Sequence, residues 1–548
     1  MAVRAFFNRG VLTVRSGNAA PDVPEYADDA VGDPSAPMES ANNLKQIAIH
    51  ENAGSGNFGH ADVLLGAADR PYGDHGTSIL EFSVENFPSM GDGNFVEGTN
   101  ASEKIDVFDG VTSGYDLIYG YGGNDSIYGL GGDDYIVGGT GADFLNGGTG
   151  YDSASYFTST AGIVASLAAG AGVGGDAEGD TYFSIENLIG SPYDDALVGD
   201  DGDNSLSGLS GDDFLDGGDG DDALYGQSGN NTLKGGGGAD ALIGSWNGND
   251  TASYYDSPEG VTALLYDNSG AGGDAEGDTF EEIENLTGSI YADVLWGDDG
   301  FNELMGMDGN DALKGFGGGD VLRGGNGNDT LEGMDGPDLL RGDGGDDTLD
   351  GGAAGDTMIG GFGNDIYIVD AGGDVVSEAV GQGFDQVRTS VSYSLAPGSE
   401  VEVLETTDPT AATAIDLVGN DHHNTITGNN GANVIAGGLG IDTLRGNGGA
   451  DAFLWSSIAE VGSDDVVDYS SAEGDVLHFT NIDADEILGG DQNFTFVGTA
   501  AFTAPGQINW FTNITDTFIQ LNTDADPAAE GIIQLHTAPS GDSVLMFL

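Results

Sequence analysis

Aspartate recurs at nine-residue intervals along much of this 548-residue chain. Successive segments read GYGGNDSIY, GLGGDDYIV and GGTGADFLN, which align as Gly-Gly-x-Gly-x-Asp-x-aliphatic-x. Calcium takes six to eight oxygen ligands, and it accepts backbone carbonyls beside carboxylates. We expect glycines at positions one, two and four to adopt positive φ and turn their carbonyls inward, while the position-six aspartate adds a carboxylate. The spacing therefore predicts a calcium-binding nonapeptide repeat.

The repeat falls into four blocks, and the position-six aspartates of all four are our predicted metal ligands. They are Asp116, Asp125, Asp134, Asp143, Asp152, Asp195, Asp213, Asp222, Asp240, Asp250, Asp293, Asp311, Asp320, Asp329, Asp338, Asp347, Asp356, Asp365, Asp442 and Asp451. Asparagine stands at the same position in five repeats, where either an ion site or a plain turn fits the sequence. These residues are Asn204, Asn231, Asn302, Asn424 and Asn433.

The aliphatic residue at position eight predicts the elements that hold these aspartates. The x-aliphatic-x triplet forms a short strand whose central side chain points inward. Two nonapeptides complete an 18-residue coil, and coils stack as parallel strands about 4.8 Å apart. Calcium ions would then lie between turns in a row along each edge. This is an all-β fold made of parallel β-roll blocks.

A longer repeat is superimposed on the nonapeptides. The segment GGDAEGDTYFSIENLIGS at 174–191 recurs as GGDAEGDTFEEIENLTGS at 272–289, so a block and its connector have been duplicated. We expect the apolar stretches of the connectors to form strands that cap each block. The predicted organisation is 1–100, an N-terminal region of unknown role with a flexible stretch; 101–155, block 1; 156–190, connector; 191–254, block 2; 255–289, connector; 290–365, block 3; 366–420, β-rich connector; 421–454, block 4; and 455–548, a β-rich C-terminal domain.

Composition excludes several classes of protein. Acidic residues number 93 and basic residues 12, giving a net charge of −81, so nucleic acid and anionic membrane surfaces would be repelled. Cysteine is absent, which excludes disulfides and thiolate chemistry. The sequence has no apolar run long enough to span a membrane and no N-terminal signal-peptide pattern. We therefore expect a soluble protein whose export does not use an N-terminal signal.

No catalytic residue is predicted. His50-Glu51 stands near His60 and His75, but a zinc protease helix needs His-Glu-x-x-His, and Gly54 occupies the last position. The Ser residues in Gly-x-Ser-Gly segments fall in the variable third position of the repeat rather than in a nucleophile elbow.

The repeat blocks depend on calcium for folding. Charge repulsion between the aspartates and the entropy cost of ordering the backbone outweigh the burial of one aliphatic side chain per repeat. We accordingly expect the blocks to be disordered until calcium binds.

The nonapeptides resemble those of the RTX, or haemolysin-type calcium-binding, family of bacterial exoproteins. The segment TDADPAAEGIIQLH and the terminal SVLMFL also resemble the C-terminal region of serralysin-type proteases. The resemblance implies export by type I secretion machinery that recognises the C-terminus, followed by folding in extracellular calcium or at the cell surface. It favours a structural, surface-layer, matrix or adhesion protein, whose partners would be cell-surface polysaccharide or other copies of itself. The alternative is a secreted hydrolase with an unrecognised active site, in which the repeats serve export and folding.

Overall fold

The computed structural model describes residues 94–479, 482–484, 492–513, 515–524 and 526–536, with short strands at 3–7, 12–16 and 546–547. Most of the described residues form a parallel β-solenoid of about 21 turns, which confirms the predicted fold class. In the N-terminal region, Val3–Phe7 pairs antiparallel with Leu12–Ser16. The predicted flexible stretch between Pro21 and Pro37 lies outside the described residues, as do His50, His60 and His75.

The coil length follows from the pairing of the position-eight residues. Leu313 pairs with Leu331, and Leu331 with Leu349, each one 18-residue turn further along the chain. All three side chains are almost completely buried, and each such burial stabilises the fold by about 1.5–3 kcal/mol. The residues on either side are partly exposed, so one aliphatic side chain per nonapeptide is enough to build a continuous core.

Two faces of paired strands enclose this core. The first face begins with a nine-stranded sheet of Phe95–Glu97, Leu117–Tyr119, Tyr135–Val137, Ser153–Ser155, Asn187–Ile189, Ser205–Ser207, Ala223–Tyr225, Ala241–Ile243 and Thr279–Glu281. A sixteen-stranded sheet follows: Ser269–Ala271, Thr262–Leu264, Val294–Trp296, Ala312–Gly317, Thr330–Asp335, Thr348–Ala353, Ile366–Val369, Gln386–Thr389, Val403–Thr406, Thr425–Thr427, Thr443–Arg445, Ser463–Val466, Gly531–His536, Asp516–Asn522, Gln507–Thr512 and Thr495–Phe496.

The second face has the same construction. Its first sheet contains Lys104–Ile105, Ser126–Tyr128, Phe144–Asn146, Thr181–Phe183, Ala171–Val173, Val164–Ser166, Ala196–Val198, Phe214–Asp219, Thr232–Gly237, Thr251–Ser253, Asn285–Thr287, Glu303–Asp308, Val321–Asn326, Leu339–Gly344, Thr357–Phe362 and Val375–Val376. Its second contains Tyr393–Ser394, Leu417–Val418, Val434–Ala436, Ala452–Leu454, Val476–His478 and Met546–Phe547. The short helices are Gly175–Ala177, Leu265–Asp267, Gly273–Ala275 and Ile458–Val461.

The connectors belong to the solenoid, so the expectation that their strands cap each block is wrong. Asn187–Ile189 pairs parallel with Ser153–Ser155 on one side and with Ser205–Ser207 on the other. Val164–Ser166 likewise pairs parallel with Ala196–Val198. The first connector inserts a hairpin into one continuous sheet, whereas at the second connector the nine-stranded sheet ends and the sixteen-stranded sheet begins. In both connectors, apolar residues continue the buried row.

The C-terminal strands attach to the last turns of the solenoid. Gln507–Thr512, Asp516–Asn522 and Gly531–His536 form an antiparallel meander. Gly531–His536 also pairs parallel with Ser463–Val466, a strand of the solenoid. Beneath them, the rings of Trp455 and Phe479 stack with centroids 5.4 Å apart. Among the described residues, no helix combines the length and apolar character needed to cross a membrane.

Candidate metal centre

The position-six aspartates form two hydrogen-bonded rows, one along each edge of the solenoid. The Asp329 N–H donates to Asp347 Oδ1 at 2.8 Å, and the Asp347 N–H donates to Asp365 Oδ1 at 2.8 Å. The other edge repeats the pattern, with the Asp320 N–H donating to Asp338 Oδ1 at 2.7 Å. Each carboxylate is therefore held in position by the preceding turn through Oδ1, which leaves Oδ2 for another partner.

Two kinds of turn differ in what reaches Oδ2. In the first kind, which we call an open turn, the residue at position two has positive φ; examples are Phe316 at 74° and Met334 at 81°. The Oδ2 atom of the open-turn aspartate is buried and has no hydrogen-bond partner among the described residues. The open-turn aspartates among the predicted ligands are Asp125, Asp134, Asp143, Asp152, Asp213, Asp222, Asp240, Asp311, Asp320, Asp329, Asp338, Asp347, Asp356, Asp365, Asp442 and Asp451.

In the second kind, the closed turn, the backbone satisfies the carboxylate. The position-two residue lacks positive φ, and its N–H donates to Oδ2; the Asp250 turn has one extra residue, and its donor is Ser245, which follows Gly244. The donor–acceptor pairs are Thr112–Asp116 at 2.6 Å, Ser191–Asp195 at 2.5 Å, Ser245–Asp250 at 2.7 Å and Ser289–Asp293 at 2.6 Å. These four aspartates stand in the same rows, but the protein itself supplies the partner that the open turns lack. Their assignment as metal ligands stays a prediction.

The glycine at position one explains how an open turn makes room beside its carboxylate. A methyl group on Gly315 would lie 2.3 Å from Asp320 Oδ2 and 2.9 Å from the carbonyl oxygen of Gly333. At Gly306, the corresponding distances are 2.3 Å to Asp311 Oδ2 and 2.6 Å to the carbonyl oxygen of Gly324. The space that a Cβ would fill is therefore bordered by a carboxylate oxygen and by a carbonyl from the next turn.

The expectation that the glycine at position one has positive φ is wrong. Positive φ occurs at positions two and four, as at Gly325 (112°) and Gly327 (136°), whereas Gly324 at position one does not have it. Position one needs glycine because of the neighbouring oxygens. Position two carries side chains at several turns, including Met307, so its left-handed conformation is tolerated at a cost.

Burial makes the negative charge of the open turns expensive. Removal from water raises the pKa of Asp134 and of Asp347 to about 8, with neighbouring carboxylates adding to the shift. The pKa of Asp311 rises to about 7 for the same reasons. A buried carboxylate keeps its charge when an opposite charge lies beside it. The buried carboxylates of the two rows therefore favour the binding of cations at the open turns.

In the turns that carry asparagine at position six, the side-chain amide already has hydrogen-bond partners within the protein. Asn302 Nδ2 donates to the carbonyl oxygen of Glu284 at 2.8 Å, while its Oδ1 accepts the Asp298 N–H at 2.8 Å. Asn204, Asn424 and Asn433 make equivalent Nδ2 bonds to a carbonyl of the preceding turn. Asn231 instead donates to Asp250 Oδ1 at 2.8 Å. Because the amide group of each of these asparagines already has hydrogen-bond partners within the protein, the geometry favours a plain turn at all five positions.

Sequence reasoning missed one open turn. Asp385 has a buried Oδ2 without a partner in the described chain, and its position-two residue, Gly381, has a φ of 82°. The Asp365 N–H donates to Asp385 Oδ1 at 2.9 Å, so Asp385 continues the row. The signal was present in GQGFDQV, which keeps Gly-x-Gly-x-Asp-x-Val but is displaced by two residues from the preceding nonapeptide series.

The connectors hold further row members that the nonapeptide pattern could not reveal. The Asp143 N–H donates to Asp180 Oδ1 at 2.7 Å, and the Asp240 N–H donates to Asp278 Oδ1 at 2.9 Å. Their Oδ2 atoms accept hydrogen bonds from tyrosine hydroxyls, at 2.8 Å in the case of Tyr254 and Asp278. A neutral donor thus takes the role that the open turns leave to a cation.

The donor set of the open turns fits calcium. It consists of carboxylate and backbone carbonyl oxygens, without nitrogen or sulfur, and hard cations such as calcium prefer these ligands. Successive turns contribute to the same space, which we call the cradle of the position-one glycine. The cradle of Gly342 is bordered by Asp347 Oδ2 and by the carbonyl oxygen of Gly360, which lies one turn further along. When bound, calcium supplies the positive charge that the buried carboxylates require.

Comparison with known families agrees with this geometry. The family model of the RTX calcium-binding nonapeptide repeat matches residues 112–154, 189–252, 280–376 and 418–453 in overlapping segments. The chain therefore carries the calcium-binding repeats of the RTX family, and its cofactor is Ca²⁺. The matched ranges fall within the solenoid and include every predicted aspartate ligand.

Other comparisons add little. A solved structure that the chain resembles is the extracellular lipase LipA from Serratia marcescens, at 17% identity and a TM-score of 0.17. The alignment covers 44% of this chain and 38% of the lipase chain. This chain thus spans well under half of that protein, and the likeness is too weak to support an argument about activity. A search of curated proteins found no match.

Proposed function

We propose that this calcium-binding protein is exported unfolded, folds outside the cell when calcium binds, and then serves as surface, matrix or adhesion material. The observation that carries the proposal is the series of open turns, in which a buried carboxylate oxygen lacks a partner among the described residues. A chain with many such atoms is unstable alone and stable when a cation occupies each turn. Calcium thereby becomes the switch between the two states.

Magnitudes support dependence on calcium. Leaving a buried polar atom without a partner costs about 1–3 kcal/mol, and more when the group is charged. The stability of a folded domain is only about 5–15 kcal/mol. Summed over the open turns, this cost exceeds the net stability of an ordinary folded domain. Since a preformed site does not exist in the unfolded chain, the free energy of ion binding becomes free energy of folding.

Export through type I machinery is consistent with the same features. A chain that stays unfolded in calcium-poor cytosol can be threaded through a transporter and fold after release. The absence of cysteine removes any need for an oxidising compartment. The C-terminal segment, which ends in SVLMFL, is the proposed secretion signal. The localisation that follows is extracellular or cell-surface associated.

An attachment role is supported by an aromatic cluster on the second copy of the duplicated unit. The ring centroid of Tyr266 lies 5.7 Å from that of Trp296 and 5.3 Å from that of Phe316. Lys314 Nζ lies 5.3 Å from the centroid of Trp296, and Tyr266 is 49% exposed. Trp296 and Phe316 are partly exposed beside it, and aromatic side chains at a surface offer apolar area with polar edges, which suits sugar rings. We infer cell-surface polysaccharide as the partner.

The duplication supplies a control for this surface. At the corresponding positions, 98 residues earlier, the first copy has Ala168, Val198 and Gly218. The rings are thus an addition to the second copy and are not required by the coil, which forms without them in the first.

The experiment compares the calcium-loaded full chain with the variant Y266A/W296V/F316G, which copies the residues of the first unit. Retention on insoluble cell-surface polysaccharide is measured by co-sedimentation, with circular dichroism as a check of folding. We expect the wild type to be retained and the variant to lose most of its retention. Equal retention contradicts the attachment surface. Hydrolysis of ester, peptide or glycoside substrates by the loaded protein would favour the hydrolase alternative.

A further inference from the structure

A cluster of carboxylates lies outside the repeat rows, in the loop between strands Asp516–Asn522 and Gly531–His536. One carboxylate oxygen from each of Asp524, Asp526 and Glu530 lies within 4.8 Å of the other two. The Asp526 N–H donates to Asp524 Oδ1 at 2.8 Å, so the loop itself holds two of them together. The sequence contains no lysine or arginine after Arg445, so this part of the chain offers no such cation to balance three negative charges.

A second and independent observation comes from the residues beneath the loop. Asn522 is fully buried, and its Nδ2 donates to the carbonyl oxygens of Asp526 at 2.6 Å and Ala528 at 2.8 Å. These bonds fix the amide under the loop, yet Asn522 Oδ1 has no partner among the described residues. The amide is thus fixed through its donor, while its acceptor oxygen is left to take a hydrogen-bond donor or a cation.

Thr523 repeats this pattern on the neighbouring residue. Its side chain is about 1% exposed, and Oγ1 has no partner in the described part of the chain. The Thr523 N–H donates to Glu530 Oε2 at 2.7 Å, which places the residue against the carboxylate cluster. A buried hydroxyl without a partner costs about 1–3 kcal/mol, and a cation bound by the cluster would remove this cost.

The geometry points to a separate calcium site in this loop, held by the carboxylates of Asp524, Asp526 and Glu530 and completed by the unpartnered oxygens of the adjoining Asn522 and Thr523. All five contribute oxygen, as a hard divalent cation requires. The loop follows no nonapeptide spacing and lies beyond residue 453, where the family match ends. The site therefore differs in construction from the open turns and does not depend on them.

The position of the loop gives the site a structural consequence. It joins the strand Gly531–His536 to its hairpin partner, and Gly531–His536 also pairs parallel with Ser463–Val466 of the solenoid. Neutralising the loop charges stabilises the hairpin, and the hairpin covers the strand that would otherwise end this sheet. Calcium at the loop thus protects an exposed strand edge from pairing with other chains.

The test counts calcium ions on the full-length chain by native mass spectrometry at saturating calcium. We expect D526N/E530Q to bind one calcium fewer than the wild type. The matched control is E460Q, which removes one charge from a carboxylate that bonds Ser456 and Ser457 in the same region. It should bind as many ions as the wild type. Equal counts in D526N/E530Q and wild type overturn the site.

Thr523→Val provides a second test that holds even if the double variant fails to fold. Valine removes the unpartnered hydroxyl at nearly constant shape, so without a cation it should be neutral or stabilising. We expect the variant to fold and to need a calcium concentration several-fold higher to load its last ion. Unchanged loading overturns the proposal. If the open turns did not bind calcium but the loop did, the wild type would bind one ion in total. Failure of the open-turn sites is therefore distinguishable from failure of the loop site.

Discussion

Gly342 and Asp347 share one space at the edge of the solenoid: a methyl group on Gly342 would lie 2.1 Å from Asp347 Oδ2. The carbonyl oxygen of Gly360 would lie 2.6 Å from the same methyl group. Both contacts are far shorter than ordinary van der Waals separations. The glycine at position one therefore keeps carbon out of the space in which the two oxygens meet.

Gly342→Ala should weaken calcium binding at this turn and lower the free energy of unfolding by about 1–3 kcal/mol, the usual cost of overpacking. The measurement is thermal unfolding at saturating calcium, together with the calcium concentration at half-folding. Gly344→Ala is the control, since a methyl group there meets its nearest atom at 3.7 Å. If both variants are affected equally, the cradle at position one is not the reason for its glycine.

Tyr254→Phe should destabilise the connector. The hydroxyl of Tyr254 donates to Asp278 Oδ2 at 2.8 Å, and its removal leaves a buried carboxylate oxygen without this donor. The expected loss in free energy of unfolding is about 1–3 kcal/mol, measured by thermal denaturation in calcium. Tyr255→Phe is the neighbouring control, because Tyr255 is 48% exposed and should lose less than about 0.5 kcal/mol. Equal stabilities for the two variants would refute the role of the hydroxyl.

Asn302→Asp should destabilise the calcium-loaded protein by about 1–3 kcal/mol. The substitution replaces the amide donor with an acceptor that faces the carbonyl oxygen of Glu284. Asn328→Asp, the same change in the same block, is the control: Asn328 Oδ1 accepts the Asp346 N–H, and a carboxylate oxygen can accept it too. An extra bound calcium ion in N302D, without loss of stability, would show that this asparagine turn readily becomes an ion site.

Without calcium, acid should favour the folded state. Burial raises the pKa of Asp347 and Asp134 to about 8, whereas the pKa of an aspartate in the unfolded chain is about 3.9. Stability from a carboxyl with a raised pKa is fully present below the unfolded pKa and is lost as pH rises through the folded value. In chelator, the β signal in far-UV circular dichroism should therefore be larger at pH 5 than at pH 8. A larger signal at pH 8 would contradict this origin of the calcium requirement.

Much of the fold was predictable, because the repeat places one apolar residue and one aspartate in every nine. The 18-residue coil and the buried row through Leu313 and Leu331 followed from that period alone. The inclusion of the connectors in the solenoid did not follow from the period, since their pairing with turns on both sides depends on contacts between residues more than 30 positions apart.

The division of the aspartates into open and closed turns also escaped sequence reasoning. Asp311 and Asp293 occupy the same position of the repeat, but only at Asp293 does a serine N–H reach Oδ2. Backbone conformation at position two decides the difference. Ser289 marks the closed turn and Met307 the open one, and a side-chain type at a variable position does not by itself fix φ.

The central claim, that cations at the open turns hold the solenoid together, is tested most directly by a calcium titration of the purified full-length chain. Far-UV circular dichroism should show little β structure in chelator and a cooperative gain of β signal as calcium rises. Magnesium at the same concentrations should not replace it, because magnesium demands a tighter octahedral shell and gives up its water reluctantly. A complete β signal in chelator at neutral pH would contradict the account.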